Sequence, residues 1–314
     1  MDLLLSMQVF RRVVQLNAFS AAARDLRLSN AVVSKHVAAL EDRLSTKLLH
    51  RTTRRMSLTT AGAAYFESCS RILDDVEETE RALSGTSGEP HGRLRVNVPM
   101  SFGLLHVSPL IPELVARWPR LSLDVAFTDR FVDLVEEGVD VVVRITSSLP
   151  DSATLLVQRL ARARHVLVAS PAYLKAHGTP RSVADLREHN CIAYGHSRSG
   201  DAWEFSENGE PRRVAVGDKL RLDSSLAIRD AVVAGVGISL MPSFYVEQEL
   251  RARKLRALLE HVELPPLFVY ATYLRSRHLS AKVRLFAEFC RERFAKAAWA
   301  MPAAEEVGAR LPHK

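Results

Sequence analysis

Residues 19–59 read FSAAARDLRLSNAVVSKHVAALEDRLSTKLLHRTTRRMSLT, and the order of small, apolar and basic side chains there decides the fold of the first sixty residues. Ser20 is placed to cap a short helix from Ala21 to Leu26, since a serine oxygen accepts from the free amides of a first turn. Ala21, Ala22 and Ala23 let a second helix cross closely, as a helix-turn-helix requires. Arg27 and Leu28 form the turn, and Ser29 caps the next helix, Asn30 to Leu44.

That second helix has two faces. Val33, Val37, Leu40 and Leu44 recur at spacings of four, three and four and form an apolar stripe toward a core. Ala31, Ser34, Lys35 and Ala38 fall on the opposite side, which is small, hydroxylic or basic. A helix in a DNA major groove wants that surface, and Asn30 at its start suits an adenine edge. A solvated surface helix has the same pattern, so the next stretch matters. Lys47 to Thr59 is two alternating apolar and polar arms around a basic tip. It reads as a wing, with Arg54 and Arg55 placed to enter a minor groove or clamp phosphates. Residues 1–60 hold ten Lys and Arg against four Asp and Glu, +6 of a whole-chain charge of +7. Basicity concentrated in one small domain is the footprint of a DNA reader. The candidate DNA contacts are Ser29, Asn30, Ala31, Ser34, Lys35, Arg51, Thr53, Arg54 and Arg55.

The same stretch resembles the N-terminal domain of LysR-type transcriptional regulators. The resemblance rests on Ala22, Ala23, Leu26, Ser29, Val33, Ser34, Val37, Leu40, Glu41, Arg43 and Leu44, then Arg51 to Arg55, Leu58, Thr59, Ala61 and Gly62. Asn30 stands where the family has Gln, Ser45 where it has Gly, and Leu49 where it has Phe. The resemblance implies a winged helix-turn-helix, a dimerising linker helix and an effector domain of the periplasmic-binding-protein type.

On the N-terminal side, MDLLLSMQVFRR lacks the basic start of a signal peptide, and Gln8 and Arg11 interrupt its apolar run. Leu4, Leu5, Val9 and Val13 instead predict an amphipathic helix against the helix-turn-helix. No window approaches a membrane span. Cys69, Cys191 and Cys290 are widely spaced and odd in number, which implies no disulfide framework. A soluble, cytoplasmic protein with no membrane partner is expected.

On the C-terminal side, Thr59 caps a helix reaching about Leu83. Tyr65, Cys69, Ile72 and Val76 continue through Thr79 to Leu83 as a heptad seam, expected to pair with a second copy. Packing on its own domain is the other reading. A self-paired helix makes a homodimer or homotetramer, and two-fold symmetry then asks for double-stranded DNA with a dyad. Ser84 to Gly92 is a small, polar hinge.

Beyond it strands and helices alternate, a βαβ pattern with a parallel sheet. The strands are Leu94–Val98, Leu121–Phe127 and Val139–Ile145, and the helices Ser101–Trp118 and Phe131–Glu137. From Leu155 the elements shorten, with an Asn208-Gly209 hairpin turn, before Phe268–Tyr273 and Ala281–Phe294 restore the first pattern. The expected class is α/β overall. The domains are a winged helix-turn-helix over 1–60, a linker helix and hinge over 61–91, and a two-lobed effector domain over 92–300. Lobe I takes 92–161 and 267–300, lobe II takes 162–266, and 301–314 is a loose tail. Asp140 to Ile145, Pro171 and Tyr173, Val233 to Ile238 and Pro242 extend the family resemblance into this region.

Catalytic signals are poor. Gly235-Val236-Gly237 lacks a third glycine and reads as a tight turn, and His189, Cys191 and His196 lack a second ligand pair. No cofactor, metal or enzymatic activity is expected. A ligand site is expected beyond the carboxyl ends of the strands, at Ser101, Phe102, Thr128, Arg144 and Ser224. There a serine and an arginine suit a carboxylate, and Met100, Phe102 and Phe127 an apolar body. A simple N-cap at Ser101 and a structural ion pair at Arg144 remain open alternatives. The expectation is a regulator of transcription switched by a small-molecule effector, an organic acid. A solute-binding or transferase-like protein of the same two-lobed fold, or a constitutive DNA binder, are the rivals.

Overall fold

The computed structural model describes residues 2–51, 56–83, 90–148, 152–195, 202–207, 209–216, 219–275 and 280–301, in two compact units, Met1–Gly88 and Glu89–Lys314. The wing tip with Thr53, Arg54 and Arg55, the hinge over 84–89, Asn208 and the tail from 302 lie outside the described residues.

The first unit opens with α1 (Leu3–Leu16), capped by Asp2, whose carboxylate accepts from the Leu4 and Leu5 amides at 2.9 and 3.3 Å. Next, α2 (Phe19–Asp25) starts two residues before the expected Ala21: Ala18 is its N-cap and makes no side-chain bond. Phe19 packs on the core of the unit, which draws the helix start back and leaves Ser20 inside the first turn. The turn takes Arg27 through φ 55°, and Ser29 caps α3 (Asn30–Leu44) by accepting from Val32 at 3.3 Å.

The buried side of α3 is Val33, His36, Val37, Leu40 and Glu41, whereas Leu44 is exposed. Two polar residues therefore replace the last leucine of the expected stripe. Each is matched: Nδ1 of His36 meets the Ser6 hydroxyl at 2.8 Å, and Glu41 reaches the wing. The wing strands β1 (Leu49–Arg51) and β2 (Met56–Leu58) pair antiparallel. Thr59 then joins wing to helix, its hydroxyl donating to the Lys47 carbonyl and accepting from the Gly62 amide. Gly62 is required there, because a Cβ would run into the Leu48 carbonyl.

The linker helix α4 (Thr60–Leu83) corrects part of the expected seam. Its first half packs on α1: Phe10 meets Tyr65 and Phe66 at 5.7 and 6.5 Å between ring centroids. Cys69 is fully buried, with Sγ donating to the Met7 carbonyl, and Leu73 lies in the same core. Arg11 forks onto Asp74 and Glu77, 2.8 Å from each. The small unit thus does offer α4 partner surface in cis. Tyr65 and Cys69 are used within it, and of the four seam residues Ile72 is the exposed one.

In the second unit β3 (Gly92–Val98) lies between β4 (Leu121–Phe127) and β5 (Val141–Thr146), parallel to both. The sheet runs on through β14 (Leu267–Leu274) to β6 (Leu155–Ala163), and β14 alone runs against the other four. The expected helix Ser101–Trp118 is broken into α5 (Met100–Phe102), a π-helical turn Gly103–Val107, a 3-10 turn and α6 (Ile111–Arg117). Phe131–Glu137 is not a helix. Asp133 accepts from the Val135 and Glu136 amides, and Gly138 at φ 63° ends the turn after one loop.

Past Arg164, β7 (His165–Ala169) is the centre of a second sheet with β12 (Ser239–Pro242) and β13 (Arg256–Leu258), both antiparallel to it. Around it stand α7 (Pro171–His177), a parallel pair β8 (Ala193–Tyr194) and β11 (Arg221–Leu222), and a hairpin of β9 (Ala202–Glu207) and β10 (Glu210–Ala215). Helices α8 (Ser225–Val233), α9 (Ser243–Arg251) and α10 (Ala281–Ala295) complete the unit. The two sheets do not have wholly separate cores. One cluster extends from Val96, Val141 and Val269 to Val166, Val168, Ile228 and Phe244, while Leu167, Tyr173 and Trp203 belong to a second.

Candidate DNA-reading helix and effector site

In the first unit the outward side of α3 carries Ser29, Asn30, Ala31 and Lys35, all exposed, with Ser34 half-buried at its edge. Val32 is exposed beside them and was not picked out by the spacing; its methyl groups add apolar surface of the kind that meets thymine. The helix is held from behind. Glu41, 4% exposed, accepts from the Leu48 and Leu49 amides at 3.0 and 3.3 Å and from the Lys47 ammonium at 2.9 Å. Burial opposes its charge, but Lys47 and the two amides outweigh that and hold its pKa below the usual glutamate value.

In the second unit the expected ligand residues divide. Ser101 is 2% exposed and its hydroxyl has no hydrogen-bond partner among the described residues. Thr128 lies close by, its amide donating to the Val98 carbonyl at 3.0 Å and its hydroxyl accepting from the Arg130 amide. Ser224 caps α8 by accepting from Ala227 at 3.4 Å. Phe102 and Arg144 go elsewhere. Phe102 has no exposed side-chain surface, with Phe244, His106 and Phe294 rings packed 5.1–5.4 Å away, so its ring is core and not ligand surface. Arg144 alternates with Val143 along β5 and faces the other side of the sheet. Its guanidinium sits 4.7 Å over the Phe131 ring and donates to the Val132 carbonyl. Arg144 thus meets Phe131 and Val132, on the loop after β4, and not the Ser101 hydroxyl.

Other residues converge there instead. The Asp129 carboxylate accepts from the Met100 amide at 3.1 Å. The Tyr245 hydroxyl interacts with the Ser225 side chain and the Phe102 amide, and lies in the field of Tyr194 and Asp129. Tyr194 feels Asp129 and Asp223. Burial first, and these charges second, push both phenols well above the usual tyrosine value, so both stay protonated. Asp129 follows Thr128 directly, so the strand-end rule that selects Thr128 covers it too. Tyr194 and Tyr245 have no sequence signal. Of the residues recalling metal ligation, His189 Nδ1 meets the Tyr173 hydroxyl and Cys191 Sγ donates to the Leu186 carbonyl. Among the described residues no cluster of His, Cys, Asp and Glu is arranged to hold a metal.

Residues 4–63 match the bacterial regulatory helix-turn-helix protein family, lysR family, and residues 87–295 match the LysR substrate binding domain. The chain belongs to the LysR family of transcriptional regulators. This LysR-type regulator is 35% identical over 298 residues to an HTH-type transcriptional repressor of Pseudomonas aeruginosa, covering 94% of this chain and 93% of the relative. It is 31% identical over 285 residues to the HTH-type transcriptional activator AaeR of Escherichia coli, covering 91% and 92%. The solved structure of CrgA, a LysR-type transcriptional regulator from Neisseria meningitidis, is 30% identical with a TM-score of 0.60, covering 91% of this chain and 97% of that one. The family and these relatives are regulators of transcription, not enzymes. No helix among the described residues of the LysR-type regulator is long and apolar enough to cross a membrane.

Proposed function

We propose that this LysR-type regulator binds a dyad-symmetric DNA site as a homo-oligomer and responds to a small organic acid bound in its second unit. The observation that carries the reading is the outward side of α3: Asn30, Ala31 and Lys35 exposed on a helix anchored from behind by Val33, Val37, Leu40 and Glu41. In this reading residues 1–60 read the DNA, with Ser29, Asn30, Ser34 and Lys35 at base edges and Arg51, Thr53, Arg54 and Arg55 at the backbone or minor groove. Residues 61–91 link the two functions. Residues 92–300 hold the effector where their two lobes meet, with Ser101, Thr128, Ser224 and Ser225 offering hydroxyls to a carboxylate. Effector binding acts by its differential affinity for two arrangements of the oligomer.

The test is selection of bound sites from random DNA with the purified chain, followed by alanine variants on the selected site. An interrupted inverted repeat is expected. Lys35→Ala weakens the selected site by about 1–3 kcal/mol and random DNA by less. Unchanged affinity on both would remove α3 from the groove.

Oligomerisation is read from the exposed apolar side chain of Ile72 and the half-buried Val76 on α4. Ile72→Lys places an unpaired charge in that contact, and sedimentation is expected to show loss of the oligomer. An intact oligomer of normal stability would put the contact on another surface.

A further inference from the structure

One face of the five-stranded sheet gathers arginines around aromatic rings. β14 runs between β5 and β6, and residues directly opposite on antiparallel strands share a face. Tyr270 is flanked by Arg144 on β5 and Arg159 on β6, and Phe268 by Thr146 and Arg162. Val269 and Ala271 alternate with these two rings and point into the core on the other side.

The rings hold the cations. Phe268 and Tyr270 lie 5.8 Å apart, and the Arg159 guanidinium sits 5.7 Å over Phe268. Arg144 sits 4.7 Å over Phe131, whose side chain is 76% exposed. A guanidinium over a ring still presents its edge N–H groups, the fork that binds the two oxygens of a carboxylate. Neither Arg159 nor Arg162 has a carboxylate partner among the described residues, and the buried Nε of Arg162 meets no acceptor there.

β6 is also the last strand of its sheet. Its outer edge takes a single bridge among the described residues, where the Met301 amide donates to the Arg162 carbonyl at 2.9 Å. The edge thus accepts an antiparallel chain at Arg162, and an edge strand is a template for a further one. Same-face side chains of an extended chain recur about every 7 Å. That is the interval between Phe268 and Tyr270, the positions opposite Arg162 and Arg159.

We propose that this face docks an extended acidic segment of a partner protein, laid along the edge of β6 with alternate carboxylates toward Arg159 and Arg162. Main-chain bonds to the edge hold the segment, and the two guanidinium forks select its charge. A DNA backbone offers the charge but no main-chain groups for a strand edge, so the edge favours a peptide. The inference depends on neither the effector site nor the DNA contacts.

The test uses the full-length protein and two fluorescein-labelled octapeptides, one alternating glutamate with threonine and one alternating glutamine with threonine. By fluorescence anisotropy, the glutamate peptide is expected to bind about ten-fold or more tightly than the glutamine peptide. Arg159→Gln together with Arg162→Gln should remove that preference, with the thermal transition at the wild-type value. Arg159→Gln alone, at an exposed position, repeats the measurement should the double variant unfold earlier. Removing the same charge elsewhere in the unit, with Arg284→Gln and Arg291→Gln on α10, should leave the preference intact. Equal affinity for the two peptides, a preference that survives the loss of Arg159 and Arg162, or one lost equally with Arg284 and Arg291 would each overturn the proposal. So would tighter binding of the glutamate peptide after Glu305→Gln and Glu306→Gln, since the chain's own carboxylates would then be the occupant. If the double variant weakens random duplex DNA and not the glutamate peptide, the face belongs to a nucleic-acid backbone and the proposal fails.

Discussion

Phe102→Ala is expected to lower the stability of the second unit by about 3–5 kcal/mol, the range for removing a buried aromatic ring. Phe102 is fully buried, and four rings surround it: Phe244, His106, Phe294 and Trp299, with centroids 5.1 to 6.0 Å away. Three of the contacts are edge-to-face, the geometry in which aromatic pairs add to area burial. The neighbours cannot close the gap easily. His106 is pinned by Nε2 to the Phe244 carbonyl at 3.0 Å and by Nδ1 to the Trp299 indole nitrogen at 3.2 Å. A rigid surround leaves a cavity, and the cavity is what makes such changes severe. Calorimetry of the full chain checks this, with the transition of the second unit moving down and that of the first staying in place. A loss below about 1 kcal/mol would mean that the cluster relaxes into the space.

Glu41→Ala is expected to be the most damaging single change behind α3, the proposed DNA-reading helix. Its carboxylate partners are the buried amides of Leu48 and Leu49, and leaving each unmatched costs about 1–3 kcal/mol. The ion pair with Lys47 matters less, because that ammonium is 73% exposed and screened by water. DNA affinity should fall with stability, since the same bonds join α3 to the wing. The pH dependence has a definite sign. A carboxylate whose pKa is lowered on folding stabilises the native state above its unfolded value, about 4.3, and that contribution disappears as pH falls through the lower folded value. The stability gap between wild type and Glu41→Gln should therefore be full at neutral pH and shrink on acidification below about 4. A gap independent of pH would show that the charge is irrelevant and that only the hydrogen bonds count.

Periodicity and caps made much of the chain legible. Ser29 and Thr59 begin helices as their side chains predict, because capping is a contact between residues two or three apart. The strands Leu121–Phe127 and His165–Ala169 lie where the apolar runs place them. Local signals failed where another contact, near or distant, competed with them. Phe19 pulled α2 past its serine cap, and Asp133 with Gly138 turned Phe131–Glu137 into a loop. The heptad spacing of Tyr65, Cys69, Ile72 and Val76 was real, yet α1 took Cys69 before a second copy could. A period reports that a helix has an apolar side and not what covers it.

The winged fold, the family and the exposed side of α3 were determined by the sequence alone, since each follows from side chains within a few turns of one another. The surroundings of Ser101, the proposed effector site, were decided by the tertiary structure. Strand alternation put Arg144 on the Val142 side of β5 and not on the Val143 side, and folding brought Asp129, Ser225 and Tyr245 to the neighbours of Ser101 from segments up to 144 residues apart in the numbering of the chain. No spacing rule relates such residues, because what joins them is the meeting of strand ends with helices α8 and α9, and that meeting exists only once the core beneath it has packed.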